Sequence, residues 1–555
     1  MPYASLLVPR NPSAIVWTGL ALLATFAASR IVTYNRNLKR LGHFPGLRTA
    51  YNSFSVLGLI FAKSSWSWFP GVFLLWTRRH DFYKPIGAET ISWISWLTGE
   101  ATIFSSNIEV MRTVAPGMNS DWHKPDFATA ILRKFGSNVL AAAGGDAWRS
   151  HRRIMGPAFS RGLYMLVWRK TIAMYRDMSA TEGWTDQRVV EIERAQEYTV
   201  KFALLILSNC CFGLKFDWAE PPTAVDAEMS LLKSLEIVNS QAGLVLGAIP
   251  SWIIKLPFKY FRDYVQACNI LTKWMNAQVI ERRDIVKSRS DLDRSQLEDD
   301  CFTVMVKANE EEEEGSKFRM SDQDLVGNLY ILLFAGHETT AHALAGTLAH
   351  LAVNRDIQDE IVEQIISVVG WDRDPEFDDY VPWIKCWPRS MKHPGYTVRR
   401  RFSPSTSAFA LFRESTVDTT LPIQAPRGEE GTTRVPVPKG TLVVVDLVGV
   451  LYNERYFDEP EKFKPWRWLG LPATAEAATF GVGSRTCIGR QFATTEAVAF
   501  LTMFLRDWEV EPLLRSGETV EGWKKRVLED VNIGLALGIK NSPIKLVRRE
   551  RSRRV

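Results

Sequence analysis

The longest uncharged apolar block of the chain lies at its N-terminus. Ser13 to Ser29 carries no charge and is mostly apolar, and after Arg30, Ile31 and Val32 come Arg36, Lys39 and Arg40. That length is near the lower limit for a helix that spans a bilayer. The basic cluster on its C-terminal side predicts the bulk of the chain in the cytosol. A cleaved signal peptide is the alternative reading, but its apolar region would be unusually long, so the pattern favours a retained anchor. A second apolar stretch, residues 54–61 and 66–76, is interrupted by Pro70 and Gly71. It is too broken to span and is suited to dipping into a membrane face.

The middle of the chain is mostly helix-like. Ser321, followed three residues later by Asp324, predicts a capped helix start. That helix runs through Leu325, Leu332 and Phe334 into Ala335, Gly336, His337, Glu338, Thr339 and Thr340, and the acidic run Glu310 to Glu314 with Gly315 predicts a solvated loop before it. An acid and an alcohol in mid-helix are unfavourable unless they have partners or work to do. Ala335 and Gly336 are expected to leave room one turn from Thr339. Further upstream, Trp148 and Arg152 are four apart and share one face of a predicted helix. Phe412, Arg413 and Glu414 read as extended.

Composition adds limits. The chain has 555 residues and no linker-like break after about residue 45, which predicts an N-terminal anchor with a basic linker over 1–42 and one catalytic domain over 43–555. A hydrophobic share of 46% suffices for a large core, and 20 tryptophans point to large apolar surfaces or membrane contact. The six cysteines, at 210, 211, 268, 301, 386 and 487, have neither disulfide nor zinc spacing, which argues for a reducing compartment. A net charge of +6 is modest for this length. The basic tail from Arg548 to Arg554 suits solvent or acidic lipid rather than nucleic acid, and no nucleic-acid partner is expected.

The densest chemical signal is the run from Phe480 to Gly489, in which Gly481, Gly483 and Gly489 bracket Cys487 ahead of an apolar helix-like stretch. Glycines permit positive φ and close backbone approach, so amide N–H groups can point at a sulfur. A thiolate held in that way could serve as a haem axial ligand, which favours O–O cleavage.

The pattern Phe-x-x-Gly-x-Arg-x-Cys-x-Gly, met here by Phe480, Gly483, Arg485, Cys487 and Gly489, resembles the haem-binding signature of the cytochrome P450 superfamily at every fixed position. The resemblance runs in order from about Gly42 to the C-terminus and is closest to microsomal fungal members. It implies a mainly α fold with a small β region behind an N-terminal membrane anchor helix. It also implies haem b with Cys487 as the metal ligand, Trp148, Arg152 and Arg413 at the haem propionates, Thr339 as the hydroxyl that stabilises bound oxygen, and Glu338 as the acid that relays protons. His337, two residues before Thr339, points to another face and is not expected to bind iron. Phe463, Pro465, Arg467 and Trp468 match the family's meander motif, in which Arg467 would join a Glu-x-x-Arg pair from an earlier helix.

That pair is missing. Between residues 376 and 416 there is no Glu-x-x-Arg, and Pro388, Pro394 and Gly395 would break the helix that should carry it. If Arg401, Phe402 and Pro404 align with the end of the motif, Val398 stands where glutamate belongs. A shifted reading frame or retained intron accounts for an interruption with intact pattern on both sides; genuine divergence is the rival.

The implied activity is hydroxylation of a lipophilic small molecule (a terpenoid, fatty acid, sterol or aromatic) in secondary metabolism or detoxification. A membrane-bound NADPH-cytochrome P450 reductase would supply electrons at the endoplasmic reticulum membrane. Two alternatives stay open: haem-thiolate isomerisation, dehydration or peroxygenation without a reductase, and an inactive product of the disrupted segment. Selectivity is expected near residues 116–139 and beyond Val531.

Overall fold

The structure is a computed structural model that describes residues 12–115, 121–126, 132–142, 144–219, 229–249, 251–288, 300–380, 410–424, 431–465, 480–481, 483–533 and 537–550. Two compact units emerge: residues 1–113 with 413–449, and residues 114–412 with 450–555.

In the first unit, helix α1 spans Pro12–Arg40, and its stretch Val16–Arg40 is long and apolar enough to cross a membrane. Trp17, Leu22 and Leu23 project from it fully into the surroundings. Towards its C-terminal end the helix meets a turn: Arg30 Nη1 donates to the Leu97 carbonyl at 3.4 Å and Asn37 Nδ2 to the Gly99 carbonyl at 2.8 Å. Behind that turn lies a mixed sheet. Gly46–Thr49 runs parallel to Thr90–Ser95, which is antiparallel to Ala101–Ser105, which in turn is parallel to Leu442–Asp446. All six residues of Thr90–Ser95 are buried, as a strand covered on both faces must be.

The second apolar stretch divides by burial. Phe61, Trp66 and Trp68 are exposed, whereas Leu74, Leu75 and Trp76 are core residues. Only the first part can meet a membrane; the second is hydrophobic because it is inside.

The second unit is helix-dominated. Its main helices are α2 (Gly145–Met155), α3 (Arg161–Thr181), α4 (Ala195–Cys211), α5 (Lys259–Ser288), α6 (Cys301–Glu310), α7 (Asp322–Ala352) and α8 (Arg490–Asp507). Two small antiparallel sheets accompany them. One joins Val189–Ile192, Ile544–Arg548 and Trp508–Pro512; the other is the pair Val531–Ile533 and Leu537–Ile539. The five described cysteines are free.

Helix α7 begins where the capping residues predict. The Ser321 hydroxyl accepts the Asp324 N–H and the Asp324 carboxylate accepts the Ser321 N–H, each at 3.2 Å. Such a cap is worth about 1 kcal/mol. The rest of α7 holds by burial, since Leu325, Leu329, Leu344 and Leu351 are each fully buried. The acidic run before it is only partly a solvated loop. Glu310 closes α6 and pairs with Arg283 at 2.9 Å and Arg319 at 3.1 Å, and Glu312 pairs with Arg153 at 2.7 Å. These acids tie α5, α2 and the approach to α7 together, contacts that no local pattern announces.

Candidate cofactor site

The glycine-bracketed loop closes on itself before α8 starts. The Cys487 N–H donates to the Phe480 carbonyl at 2.8 Å, and Thr486 donates through its N–H and hydroxyl to the Gly483 carbonyl at 3.1 and 2.7 Å. Gly481 and Gly483 have φ of 72° and 68°, the left-handed conformation that favours glycine. Gly489 differs from the expectation of positive φ. Its φ is −83°, it occupies the N-cap of α8, and an added Cβ would lie 4.0 Å from both the Cys487 sulfur and the Phe159 ring. That is ordinary van der Waals contact, so neither backbone conformation nor crowding at the sulfur demands glycine at this position.

Cys487 presents an exposed surface among the described residues, unlike the four other described cysteines, which are buried. Burial pushes its thiol up. The backbone N–H groups of Gly489 and Arg490 and the charges of Arg152 and Arg490 pull it back down by favouring the thiolate.

Around this sulfur the structure gathers the residues named from the chain. Arg152, on α2, donates from Nη1 to the Thr486 carbonyl at 3.3 Å, next to Cys487. Arg485 donates to the Ala142 carbonyl at 2.8 Å and to that of Val139 at 3.3 Å, with its guanidinium 4.9 Å from the ring centre of Trp148. Trp148 and Arg152 therefore do lie on one helical face beside the cysteine loop. Phe480 packs under Arg490, whose guanidinium is 5.6 Å from the ring centre. Arg413 belongs to the other unit, in the strand Ala410–Ser415 that the extended reading anticipated. There burial pushes its guanidinium down to about 10. Arg467 and residues 387–400 lie outside the described residues.

Helix α7 carries the second set. Ala335, Gly336, Glu338, Thr339, His342 and Ala343 are only partly buried within a helix that is otherwise enclosed, and they fall at helical spacing along one stripe. A buried helix with one open stripe lines a hollow. The Thr339 hydroxyl donates back to the Ala335 carbonyl at 2.8 Å. Gly336 corrects the simple expectation of room: a Cβ there would lie 2.8 Å from Leu207 Cδ1, so this glycine lets α4 approach α7. His337 is buried, its Nδ1 hydrogen-bonds the Leu333 carbonyl, and burial pushes its imidazole down. It is a core residue, as its position relative to Thr339 suggested.

Two residues escaped the sequence reading. His342, one turn after Glu338, has Nε2 3.8 Å from Glu338 Oε1; its spacing was readable, its neighbours were not. Glu496, in mid-α8, is fully buried and neither carboxylate oxygen has a hydrogen-bond partner. A lone acid in an apolar helix gives no signal of that kind.

An exposed sulfur that accepts backbone N–H groups, two arginines and a tryptophan beside it, and a helix with an open stripe suit a flat anionic cofactor held through iron. They define the haem-thiolate class. The cytochrome P450 family profile matches residues 90–381 and 401–535. The chain is 30% identical over 516 residues to cytochrome P450 monooxygenase 124 of Postia placenta, covering 92% of this chain and 95% of that protein. It is 26% identical over 438 residues to a cytochrome P450 monooxygenase of Arthrobotrys oligospora, covering 70% and 71%. Against human cytochrome P450 4F11 the identity is 25% over 415 residues, covering 69% and 70%. The chain belongs to the cytochrome P450 family. It is an oxidoreductase, a haem monooxygenase with cysteine thiolate ligation. The profile match stops at 381 and resumes at 401, bracketing the segment in which Glu-x-x-Arg is missing.

Proposed function

We propose that Cys487 supplies the thiolate and that the chain hydroxylates a C–H bond of a lipophilic small molecule. The observation that carries this is the exposed Cys487 sulfur in its glycine-bracketed loop, where the N–H groups of Gly489 and Arg490 and the charges of Arg152 and Arg490 partly offset the burial that pushes its thiol up. When bound, thiolate-ligated haem supplies activation of O₂. Two electrons from NADPH, delivered by a membrane-bound reductase, and two protons balance the reaction, so that one oxygen atom enters the substrate and the other leaves as water.

In this reading Trp148, Arg152 and Arg485 hold the propionates, charge-assisted hydrogen bonds being the strong ones. Glu338 would hold and pass a proton, and the Thr339 hydroxyl, which donates to the Ala335 carbonyl, would be the alcohol that works beside it. Residues 1–42 attach the chain to the endoplasmic reticulum membrane, with the catalytic domain over 43–555 on the cytosolic side. Terpenoids, fatty acids, sterols and aromatics are the substrate classes, in secondary metabolism or detoxification. Isomerisation, dehydration or peroxygenation is the weaker reading, because none of these needs the delivery of protons to O₂ that the Glu338/Thr339 pair suits.

The test is the reduced, CO-bound absorption spectrum of the full chain. The strongly red-shifted band of thiolate ligation is expected in the wild type and absent in Cys487→Ala. Haem bound with an unchanged band in that variant would overturn the assignment. Reductase-dependent turnover of a panel of lipophilic compounds then separates hydroxylation from the reductase-independent chemistries.

A further inference from the structure

On the open stripe of α7, one side chain has a position that the acid–alcohol pair alone does not explain. His342 is four residues after Glu338 and three after Thr339, so it neighbours both on the helix surface. Its Nε2 lies 3.8 Å from Glu338 Oε1, within ion-pair reach but longer than a hydrogen bond. The two polar atoms left over, Glu338 Oε2 and His342 Nδ1, are both buried without a hydrogen-bond partner. Buried polar atoms of native proteins are usually paired, and an exception calls for an explanation.

The ring is also held from outside the helix. Gly538, in the strand Leu537–Ile539, backs directly onto it: a Cβ on that glycine would lie 2.4 Å from both Cγ and Nδ1 of His342. Its φ does not lie in the left-handed region, so the backbone itself would accept a side chain. What the glycine provides is space for an imidazole. The other titratable groups near Glu338 are His337, turned to the Leu333 carbonyl, and Tyr330, whose hydroxyl donates to Asn239 at 2.9 Å. His342 is the one whose free nitrogen shares the stripe with the free oxygen of the acid.

We propose that His342 is a positioning residue that recharges Glu338 with protons, with Gly538 as the surface that holds the imidazole in place. Imidazole accepts at one nitrogen while donating from the other. With Nδ1 keeping its proton throughout, the ring takes a proton from solvent at Nε2, becomes imidazolium, and gives that same proton to Glu338 Oε1, the N–H bond breaking as the O–H bond forms; the ring is then neutral again in its starting tautomer and ready for the next proton. The inference rests on the role of Glu338 given under Proposed function.

The experiment uses the full chain with haem and reductase, in bilayer nanodiscs. It measures the share of consumed O₂ recovered as H₂O₂ per NADPH oxidised without added substrate, so that no substrate need be known. His342→Gln and Gly538→Ala should both keep the thiolate CO band and raise the peroxide share severalfold, as Glu338→Gln does. The double variant His342→Gln/Glu338→Gln should be no worse than Glu338→Gln alone, because the two act as one unit. An independent readout is the ring ¹⁵N resonances of His342 in histidine-labelled protein, which should move in Glu338→Gln. A wild-type peroxide share in both His342→Gln and Gly538→Ala, with Glu338→Gln uncoupled, overturns the role of His342 and leaves the reading of Glu338 standing. A wild-type share in Glu338→Gln and Thr339→Ala overturns that reading and this inference with it. Loss of the CO band in His342→Gln alone shifts the decision to Gly538→Ala, in which the imidazole is displaced but present.

Discussion

Replacing Glu496 by methionine should make the protein more stable, and the gain should grow as pH rises. The acid is fully buried in α8, its two oxygens lack partners, and burial pushes its carboxyl well above the ordinary 4.5. The adjacent Thr495 hydroxyl is likewise buried without a partner, the nearby Cys210 thiol is pushed up by burial, and among the described residues nothing favours the charged form of the acid. A neutral carboxyl with unmet hydrogen bonds costs about 1–3 kcal/mol. Methionine fills similar volume without that cost. The pH term adds to it. Because the folded-state value is raised, the stability associated with this group is complete below about 4.5 and is lost as pH climbs towards the folded value, at up to about 1.4 kcal/mol per pH unit. Glu496→Met removes the loss, and Glu496→Gln removes the titration while keeping the unmet polar atoms. Thermal unfolding of the detergent-solubilised chain, followed by tryptophan fluorescence from about pH 5 to about pH 8, measures the difference. A methionine variant less stable than wild type at every pH would refute the reasoning and would mean that the acid has a buried partner, such as ordered water.

Thr339→Ala should retain haem and substrate binding but release reducing equivalents as peroxide; product formation fully coupled to NADPH use would place the relay elsewhere. Deleting Met1 to Arg40 should weaken membrane attachment and leave residual binding through Phe61, Trp66 and Trp68, as flotation with liposomes would show; unchanged extraction properties would count against the anchor. Messenger RNA covering residues 387–400 should contain a form that encodes a continuous helix with Glu-x-x-Arg, and that form should hold haem far better. Breaking a buried ion pair at one partner costs about 3–5 kcal/mol, a large share of the roughly 5–15 kcal/mol of a folded domain. Stoichiometric haem uptake by the literal chain as sole transcript would overturn this expectation.

Legibility followed sequence distance. The cap at Ser321 and Asp324, the shared face of Trp148 and Arg152, and the loop that turns Cys487 back to Phe480 each depend on residues within about ten positions of one another, so they could be read locally, the Trp148–Arg152 face only with the help of the family resemblance. Gly336 against Leu207, Glu310 against Arg283, and His342 against Gly538 depend on partners brought together only by packing. A residue type with two uses is the other source of error. Gly489 and Gly481 look alike in the chain, but Gly481 makes a left-handed turn whereas Gly489 is the N-cap of α8 with an ordinary φ. Likewise Trp66 and Trp76 have the same hydrophobicity and opposite exposure.

The turn at Leu97–Gly99 has a mechanical consequence. Two hydrogen bonds seven residues apart on α1 converge on it, and Gly99, with φ of 75°, would carry a Cβ 3.1 Å from both Arg30 Nη1 and Thr33 Cγ2. With two points of attachment about two turns apart on the same face, α1 has no swivel at its junction with the sheet. Rotation of the helix about its own axis, or a change in its tilt, must be transmitted to the Gly46–Ser105 strands as torque. Were α1 to sit in a bilayer, the hydrocarbon thickness, which sets how far a hydrophobic helix leans, would reach the sheet through this junction, as a stock turns its rudder.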